Sequence, residues 1–300
     1  MLPVFHIAIS FLAILAASTV MGTVSFGMGT VAGPILLLIH DPWTTVVTCN
    51  ALGAFVVAMV LVQTRHYIRL RSALPLTIGG MFGVPVGVRM LSIANQGPLR
   101  LAIGVITLAM IIPYLMDFFR SQLGRTTPFG QKTQSKISEN IRHVTTTLTN
   151  SAGSPWLSPF AGFLGALLVA AFGVGGGPLV AVYVLFNSRT LNNTLSTNGD
   201  ISDSGSIQDA HQHNVQSIRS TLAFFWVINN SEAVLVSWAS GLVTLERLSM
   251  IGFLTIPAII GFGVATIILG KINERAFRGI TLTMIIIASL TVITRELSGF

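Results

Sequence analysis

Long apolar runs alternate with short polar stretches along the chain. The apolar runs fall at about residues 4–39, 43–64, 72–93, 97–117, 157–186, 218–240, 246–269 and 278–294. A helix needs about 20 apolar residues to cross the hydrocarbon core of a bilayer, and these runs are close to that length or longer. The pattern predicts an all-α, polytopic membrane protein with about 8 to 10 crossings.

The first and fifth apolar runs are far longer than one crossing requires, and glycines interrupt both of them. The stretch FGMGTVAGPILLLI (26–39) resembles AFGVGGGPLVAVYVL (171–185), and Gly29, Gly33 and Pro34 recur after a displacement of 144 positions. Internal repeats built around broken helices are a common transporter architecture. We therefore expect two homologous transmembrane repeats, each beginning with a Gly-interrupted broken helix.

A second pair of similar stretches supports the repeat. Residues 83–108 resemble residues 261–286 after a displacement of 178 positions. The two displacements differ by 34 residues, which is close to the length of the polar stretch 187–217. An insertion of that size in the second repeat accounts for the difference.

Two polar stretches divide the chain. Residues 120–156 contain five basic residues and one acidic residue, and we expect a basic linker there. Residues 187–217 are rich in Asn, Ser and Asp, which predicts a mobile, solvated insertion. The predicted organisation is a first transmembrane repeat at 1–119 and a second repeat at 157–300.

Two topologies are compatible with these runs. If each interrupted run crosses the membrane once, the repeats are parallel and the Lys and Arg residues outside the membrane split 10 to 6 between its two sides. If each interrupted run enters and returns, the repeats are inverted and the split becomes 13 to 3. Because cytoplasmic loops carry an excess of Lys and Arg, the second topology is favoured, with a full helix followed by a re-entrant half-helix.

Composition agrees with a membrane protein. The chain is 52% hydrophobic and 9% charged, with a mean hydropathy of +0.76, whereas a soluble domain carries about 25% charged residues. The net charge of +7 is expected to mark cytoplasmic loops. We therefore expect a multi-pass protein of the inner or plasma membrane with the lipid bilayer around it and no nucleic-acid partner.

The glycines predict an anion site. A break in a membrane helix is tolerated where the backbone is buried in protein or lines a cavity. Pro34 and Pro178 are expected at the first position of a half-helix, whose N-terminus offers free N–H donors and the positive end of the helix dipole. The N–H groups of residues 30–35 and 174–179 would then hold a small anion. The candidate residues are Gly29, Gly33, Pro34, Gly173, Gly175, Gly176, Gly177 and Pro178; close helix packing through GxxxG contacts is the alternative.

Glu232 is the acidic residue placed deepest in an apolar run. It lies 13 positions after Arg219, about 20 Å along a helix, and an acidic side chain at that depth is a candidate functional residue. It would carry a coupling proton if burial favours its neutral form, whereas the alternative is a hydrogen bond between helices. Asn229 and Asn230 precede it and are candidates for substrate contact. Arg219 either guards the entrance or is a topological charge.

The chain resembles the sulfite exporter TauE/SafE family, also called the 4-toluene sulfonate uptake permease family. The resemblance is carried by GFLGALLVAAFGVGGGPLVAVYVLF (162–186), GTVSFGMGTVAGPILLL (22–38), IRSTLAFFWVINN (218–230) and the pattern of residues 261–278. It implies secondary transport of sulfur-containing or organic anions, such as sulfite or sulfonates. No cofactor, metal or catalytic side chain is implied.

The sequence therefore predicts a permease that works by alternating access at the broken-helix N-termini. An anion channel would need a continuous polar pore, and the apolar runs contain few polar residues. A membrane-embedded enzyme would need a set of catalytic side chains, which Glu232 alone does not supply. Both remain as alternatives.

Overall fold

The computed structural model describes residues 2–107, 157–174, 176, 177, 180, 183, 184, 204–268 and 294. The described residues form helices joined by turns, with no strand among them, so the all-α prediction is confirmed. The elements are α1 (Leu2–Val24), α2 (Met28–Leu37), α3 (Pro42–Thr64), a 3₁₀ turn (Arg65–Tyr67), α4 (Leu70–Ile93), α5 (96–107), α6 (Leu157–Phe172), α7 (Ser204–Ala239) and α8 (Leu245–Ile268).

Five helices of this described part are long and apolar enough to cross a membrane. The spans are His6–Val24, Pro42–Tyr67, Leu70–Ile93, Gln216–Ala239 and Leu245–Ile268. Large apolar side chains such as Phe82, Trp238 and Ile267 are exposed on their outer faces. In a bilayer these side chains meet lipid, so the protein is a multi-pass membrane protein.

The first apolar run folds as a hairpin of one long and one short helix. The α1 helix ends at Val24, and the chain then turns through Ser25 (φ 67°) and Gly27 (φ 111°) before α2 begins. The α2 helix returns beside α1, because the His40 Nε2 lies 3.0 Å from the Ser10 Oγ. A full helix is thus followed by a 10-residue half-helix.

Rows of glycine bring α4 and α6 together. A Cβ atom added at Gly79, Gly83 or Gly87 would lie within 1.9 to 2.6 Å of a backbone carbonyl oxygen of α6. Each step of four residues along α4 matches a step of four along α6, from Pro159 to Phe163 and then to Leu167. The two helices therefore run parallel, packed as small-residue rows allow in membranes.

The α1 and α8 helices form an equivalent parallel pair. A Cβ atom at Gly22 would lie 2.6 Å from the Ala265 Cβ, and one at Gly261 would lie 2.0 Å from the Ser18 Oγ. The contact moves in the same direction along both helices. The α1 helix of the N-terminal part of the protein (2–107) is therefore aligned with α8 of the C-terminal part (157–268).

The α3 and α7 helices run antiparallel at the centre of the protein. A Cβ atom at Gly53 would lie 3.1 Å from the Asn230 Nδ2. Arg247 lies in the first turn of α8, shortly after the end of α7. It donates to the Thr44 Oγ1 at the start of α3 over 2.8 Å. The end of one helix therefore lies beside the start of the other.

The helix directions follow from these contacts. The α1, α3 and α8 helices run one way across the protein, and α4, α6 and α7 run the other way. The α3 helix follows the interrupted run of the N-terminal part, and α7 follows that of the C-terminal part. These two helices thus point in opposite directions.

Asp41 and Arg247 join the two parts at the start of α3. Asp41 caps that helix by accepting from the Thr44 N–H at 2.9 Å, and it pairs with the Arg247 guanidinium at 3.2 Å. Arg247 also donates to the Leu242 carbonyl. Burial raises the pKa of Asp41, but the hydrogen bonds from Thr44 and the charge of Arg247 outweigh burial and hold that pKa below its usual value. The carboxylate therefore stays ionised near neutral pH.

The polar stretch 187–217 is not a loop throughout. Residues 204–217 are helical and form the first part of α7. That this stretch is an insertion exposed to water stays a prediction. Residues 187–203 lie outside the described residues.

Candidate functional site

The two interrupted runs meet at a cavity of about 30 Å³ in the middle of the protein. Such a volume exceeds the space that one water molecule needs. The cavity is lined by Met21, Phe26, Gly27, Met28, Gly29, Thr30, Cys49, Asn50, Val169, Gly173, Val174, Gly177, Trp226 and Asn230. None of these side chains carries a charge at neutral pH, so donors and acceptors decide what the cavity can hold.

The N-terminus of α2 supplies backbone donors to this cavity. Gly27 caps the helix in a left-handed conformation and provides no side-chain hydrogen bond. The Val31 N–H bonds to the Gly27 carbonyl at 3.0 Å, so the N–H groups before it, at residues 28–30, have no partner within the helix. These donors carry the positive end of the helix dipole.

The position of this helix start corrects the sequence prediction. Pro34 was expected to begin the half-helix, but it lies inside α2, six residues after the start at Met28. The break falls earlier because Ser25 and Gly27 take positive φ angles. The free donors are therefore those of residues 28–30, whereas the predicted set was residues 30–35.

The second break lies directly against the first. The α6 helix ends at Phe172, Gly173 has a φ of 71°, and the chain is helical again at Gly176. A Cβ atom at Gly29 would lie 1.5 Å from the Gly173 carbonyl oxygen, and one at Gly177 would lie 2.8 Å from the Phe26 ring. Each broken segment thus contacts the other through a position that has room only for glycine.

Three side chains from α3 and α7 add unpaired polar atoms. Asn50, Trp226 and Asn230 are 2%, 2% and 4% exposed. The Asn50 Nδ2, the Trp226 Nε1 and the Asn230 Oδ1 have no hydrogen-bond partner among the described residues. A buried polar atom left unpaired costs about 1–3 kcal/mol. Their convergence on one cavity is the arrangement expected of a ligand site, with Asn50 and Trp226 as donors.

The structure brings only some of the predicted candidates to this cavity. Gly29, Gly173, Gly177 and Asn230 line it. Gly33 lies one turn along α2, where an added Cβ would be 3.2 Å from the Val174 Cγ1.

Two other candidates pack against helices. A Cβ at Gly176 would lie 2.0 Å from the Gly165 carbonyl of α6, and one at Gly80 of α4 would lie 2.2 Å from the Asn229 Oδ1. The Asn229 Nδ2 also donates to the Phe225 carbonyl at 2.7 Å. Asn229 therefore packs where α7 meets α4, with its Oδ1 buried and without a hydrogen-bond partner among the described residues. Neither Gly176 nor Asn229 lines the cavity. Gly175 and Pro178 lie outside the described residues.

Glu232 is partly buried and is not among the lining residues. Its Oε2 is buried and has no hydrogen-bond partner within the described ranges. It follows Asn229 by three residues, so the two residues lie on the same side of α7.

Sequence reasoning missed Phe26, Asn50 and Trp226 as lining residues. Asn50 stands out as a polar residue in an apolar run, which is a usable signal. Phe26 and Trp226 give no such signal, because aromatic residues recur through the apolar runs and nothing in the sequence separates those that face lipid from those that face protein.

Comparisons with known proteins bear on one stretch of the chain. A family model described as Sulfite exporter TauE/SafE matches residues 10–198, which is 189 of the 300 residues. The match contains the cavity residues from Met21 to Asn50 and from Val169 to Gly177. No curated protein and no solved structure matches the chain.

Proposed function

Because the chain belongs to the sulfite exporter TauE/SafE family, whose members are membrane transporters and not enzymes, we propose that it carries a small sulfur-containing anion, such as sulfite or an organosulfonate, by way of the cavity between its two broken segments. The proposed site comprises the backbone donors of residues 28–30 with the Asn50 and Trp226 side chains. We further propose that the protein works in the inner or plasma membrane.

The unpaired donors are the observation that carries this proposal. An oxyanion accepts several hydrogen bonds at once, and helix N-termini bind such groups through free N–H donors and the dipole. The Asn50 Nδ2 and Trp226 Nε1 supply two more donors in the same buried space. The Asn230 Oδ1 is the one unpaired side-chain acceptor among the described lining residues, so the unpaired donors outnumber it and favour an anion over a cation.

Alternating access is the proposed mechanism. The opposite directions of α3 and α7, together with the parallel pairs α1–α8 and α4–α6, support two equivalent halves related by inversion across the membrane. The contact of Gly29 with the Gly173 carbonyl joins two positions that the sequence alignment relates by its displacement of 144.

The orientation follows from the charges of the sequence. Under the inverted arrangement, Lys and Arg split 13 to 3 between the two sides. The side with 13 includes Arg65, Arg69 and Arg71, which follow α3. We propose that this side is cytoplasmic, since the positive charges of short loops mark that side.

Flux measurements separate this proposal from its rivals. In proteoliposomes the purified protein should take up radiolabelled sulfite with a rate that saturates as the sulfite concentration rises. A conductance that rises without saturation would indicate a channel, and chemical conversion of the sulfite would indicate an enzyme. Empty liposomes are the control, and uptake no faster than theirs would contradict the proposal.

A coupling role for Glu232 remains part of the proposal. Its carboxyl group has a buried oxygen without a hydrogen-bond partner among the described residues, and it follows the cavity residue Asn230 by two positions on α7. We expect Glu232→Gln, which imitates the protonated form, to take up sulfite without responding to an imposed pH gradient, whereas wild-type uptake should rise several-fold with the gradient. The measurement is initial uptake with and without the gradient. Asp41→Asn removes a carboxylate at the start of α3 and serves as the matched control. A gradient response in Glu232→Gln equal to that of the wild type would contradict the coupling role.

A further inference from the structure

Arg219 is a buried cation whose charge no described residue balances. It is 8% exposed, and it lies near the start of the membrane-spanning portion of α7. The ion pair between Asp41 and Arg247 is the only one found within the described ranges, and Arg219 takes no part in it. The Arg219 Nε is buried and has no hydrogen-bond partner in the part of the chain that the structure describes. A charge removed from water in this way is costly unless a counter-charge approaches it.

The guanidinium reaches the end of α1 that borders the cavity. Its Nη2 donates to the Gly22 carbonyl at 2.7 Å, and its Nη1 donates to the Gln216 side chain at 3.1 Å. Gly22 follows Met21, a residue of the cavity wall, and precedes the break at Ser25. The Arg219 charge is therefore held next to the turn that joins α1 to α2.

Arg219 also shares a helix face with two residues of the cavity. Trp226 and Asn230 follow it by seven and eleven positions, which is the spacing of one stripe along α7. The distance from Arg219 to Trp226 along the axis is about 10 Å. The stripe leads from the cation to the unpaired Trp226 Nε1 and Asn230 Oδ1 of the site.

The dipoles of the two helices explain why a cation is needed at this place. The N-terminus of α2 presents positive charge to the cavity, but the C-terminus of α1 ends beside it and presents negative charge. The carbonyls of that last turn would repel an anion. A guanidinium bonded to the Gly22 carbonyl masks this negative end and adds a full positive charge.

We propose that Arg219 determines charge selectivity at the cytoplasmic end of the site, by offsetting the negative end of α1 and attracting the anion. This inference rests on the proposed function. It makes Arg219 a positioning and specificity residue. Substrate contact stays with the donors of the cavity.

Two substitutions distinguish this role from simple capping of α1. Arg219→Gln keeps an amide donor for the Gly22 carbonyl but removes the charge, whereas Arg219→Lys keeps the charge. Arg89→Gln removes an exposed cation of α4 and is the matched control. For each protein the Tm is measured in detergent at constant ionic strength, with increasing sulfite or methanesulfonate, and with dimethyl sulfone as a neutral ligand of similar size.

We expect both anions to raise the Tm of the wild type and of Arg89→Gln, because a ligand that binds the folded state stabilises it. Arg219→Gln should need about tenfold more anion for the same rise, while its Tm without ligand stays close to that of the wild type. Arg219→Lys should recover most of the anion response. Dimethyl sulfone should affect none of the proteins.

Three results would overturn the inference. They are a wild-type anion response in Arg219→Gln, an equal loss in Arg219→Lys, and no stabilisation of the wild type by either anion. Failure of the proposed function looks different, because the Tm responses would persist while sulfite uptake into liposomes stayed at the level of empty liposomes.

Discussion

Replacing Gly29 by alanine is expected to reduce sulfite uptake by at least about tenfold. The added Cβ atom would lie 1.5 Å from the carbonyl oxygen of Gly173 and 2.6 Å from its carbonyl carbon. These are backbone atoms of the other broken segment, so a change of side-chain rotamer cannot relieve the clash. Forcing extra atoms into a packed interior costs about 1–3 kcal/mol. Since about 1.4 kcal/mol changes an equilibrium constant tenfold, this cost lowers the population of the closely packed arrangement by about that factor.

Two further glycines serve as controls for this result. Gly263→Ala on α8 adds a Cβ with nothing within 4 Å, so uptake should match the wild type and the helix should gain up to about 1 kcal/mol. Gly33→Ala approaches only the Val174 Cγ1, at 3.2 Å, and should give an intermediate loss. Uptake, membrane abundance and Tm are measured together. Wild-type uptake in Gly29→Ala, or equal losses in all three variants, would contradict the need for close contact between the segments.

The sequence predicts the helical class of this fold because the hydrocarbon core allows few alternatives. Backbone groups in a bilayer must bond within the segment, so an apolar run of about 20 residues becomes a helix. The runs at 43–64, 72–93 and 246–269 correspond closely to α3, α4 and α8. Nothing comparable fixes the helix directions, which depend on contacts between distant residues such as Gly53 and Asn230.

The position of the first break could not be read from glycine and proline alone. Pro34 has the residue type that favours the start of a helix, but a proline inside a membrane helix is tolerated when neighbouring groups satisfy the backbone. The chain instead turns at Ser25, a residue that rarely takes a positive φ. Ser25 is fully buried, so this turn is held within the packed interior and does not follow from local preference.

Hydrophobic periodicity also could not identify the residues that line the cavity. In a soluble helix the apolar face identifies the interior, but a membrane helix is apolar on both its lipid and its protein faces. Asn230 was found because it is polar. Its neighbour Asn229 satisfies the same criterion, yet it packs against Gly80. Only the packing of α7 against α3 and α4 separates their roles.

Cys49 allows the cavity itself to be tested in the native protein. It is the only cysteine of the chain, it is buried, and it lines the cavity beside Asn50. A small neutral reagent such as iodoacetamide should modify it slowly, when the cavity opens. An anion in the cavity should block that reaction in proportion to its occupancy. At ten times its Kd, methanesulfonate should therefore slow the modification by about tenfold.

The control for this experiment is an equally buried thiol elsewhere. Ala258 on α8 is buried but does not line the cavity, so Cys49→Ser combined with Ala258→Cys should react at a rate that methanesulfonate does not change. Dimethyl sulfone, which has a similar size without the charge, should not protect Cys49. Sulfite is avoided here because it reacts with alkylating reagents.

The most direct measurement of the central claim is therefore the rate of Cys49 alkylation, followed by intact-mass spectrometry, with and without methanesulfonate. An anion site between the two broken segments predicts protection of about tenfold by methanesulfonate, none by dimethyl sulfone, and none at a cysteine in place of Ala258. Equal alkylation rates with and without methanesulfonate, in a preparation that takes up methanesulfonate with saturable kinetics, would contradict the claim that this cavity is where the anion binds.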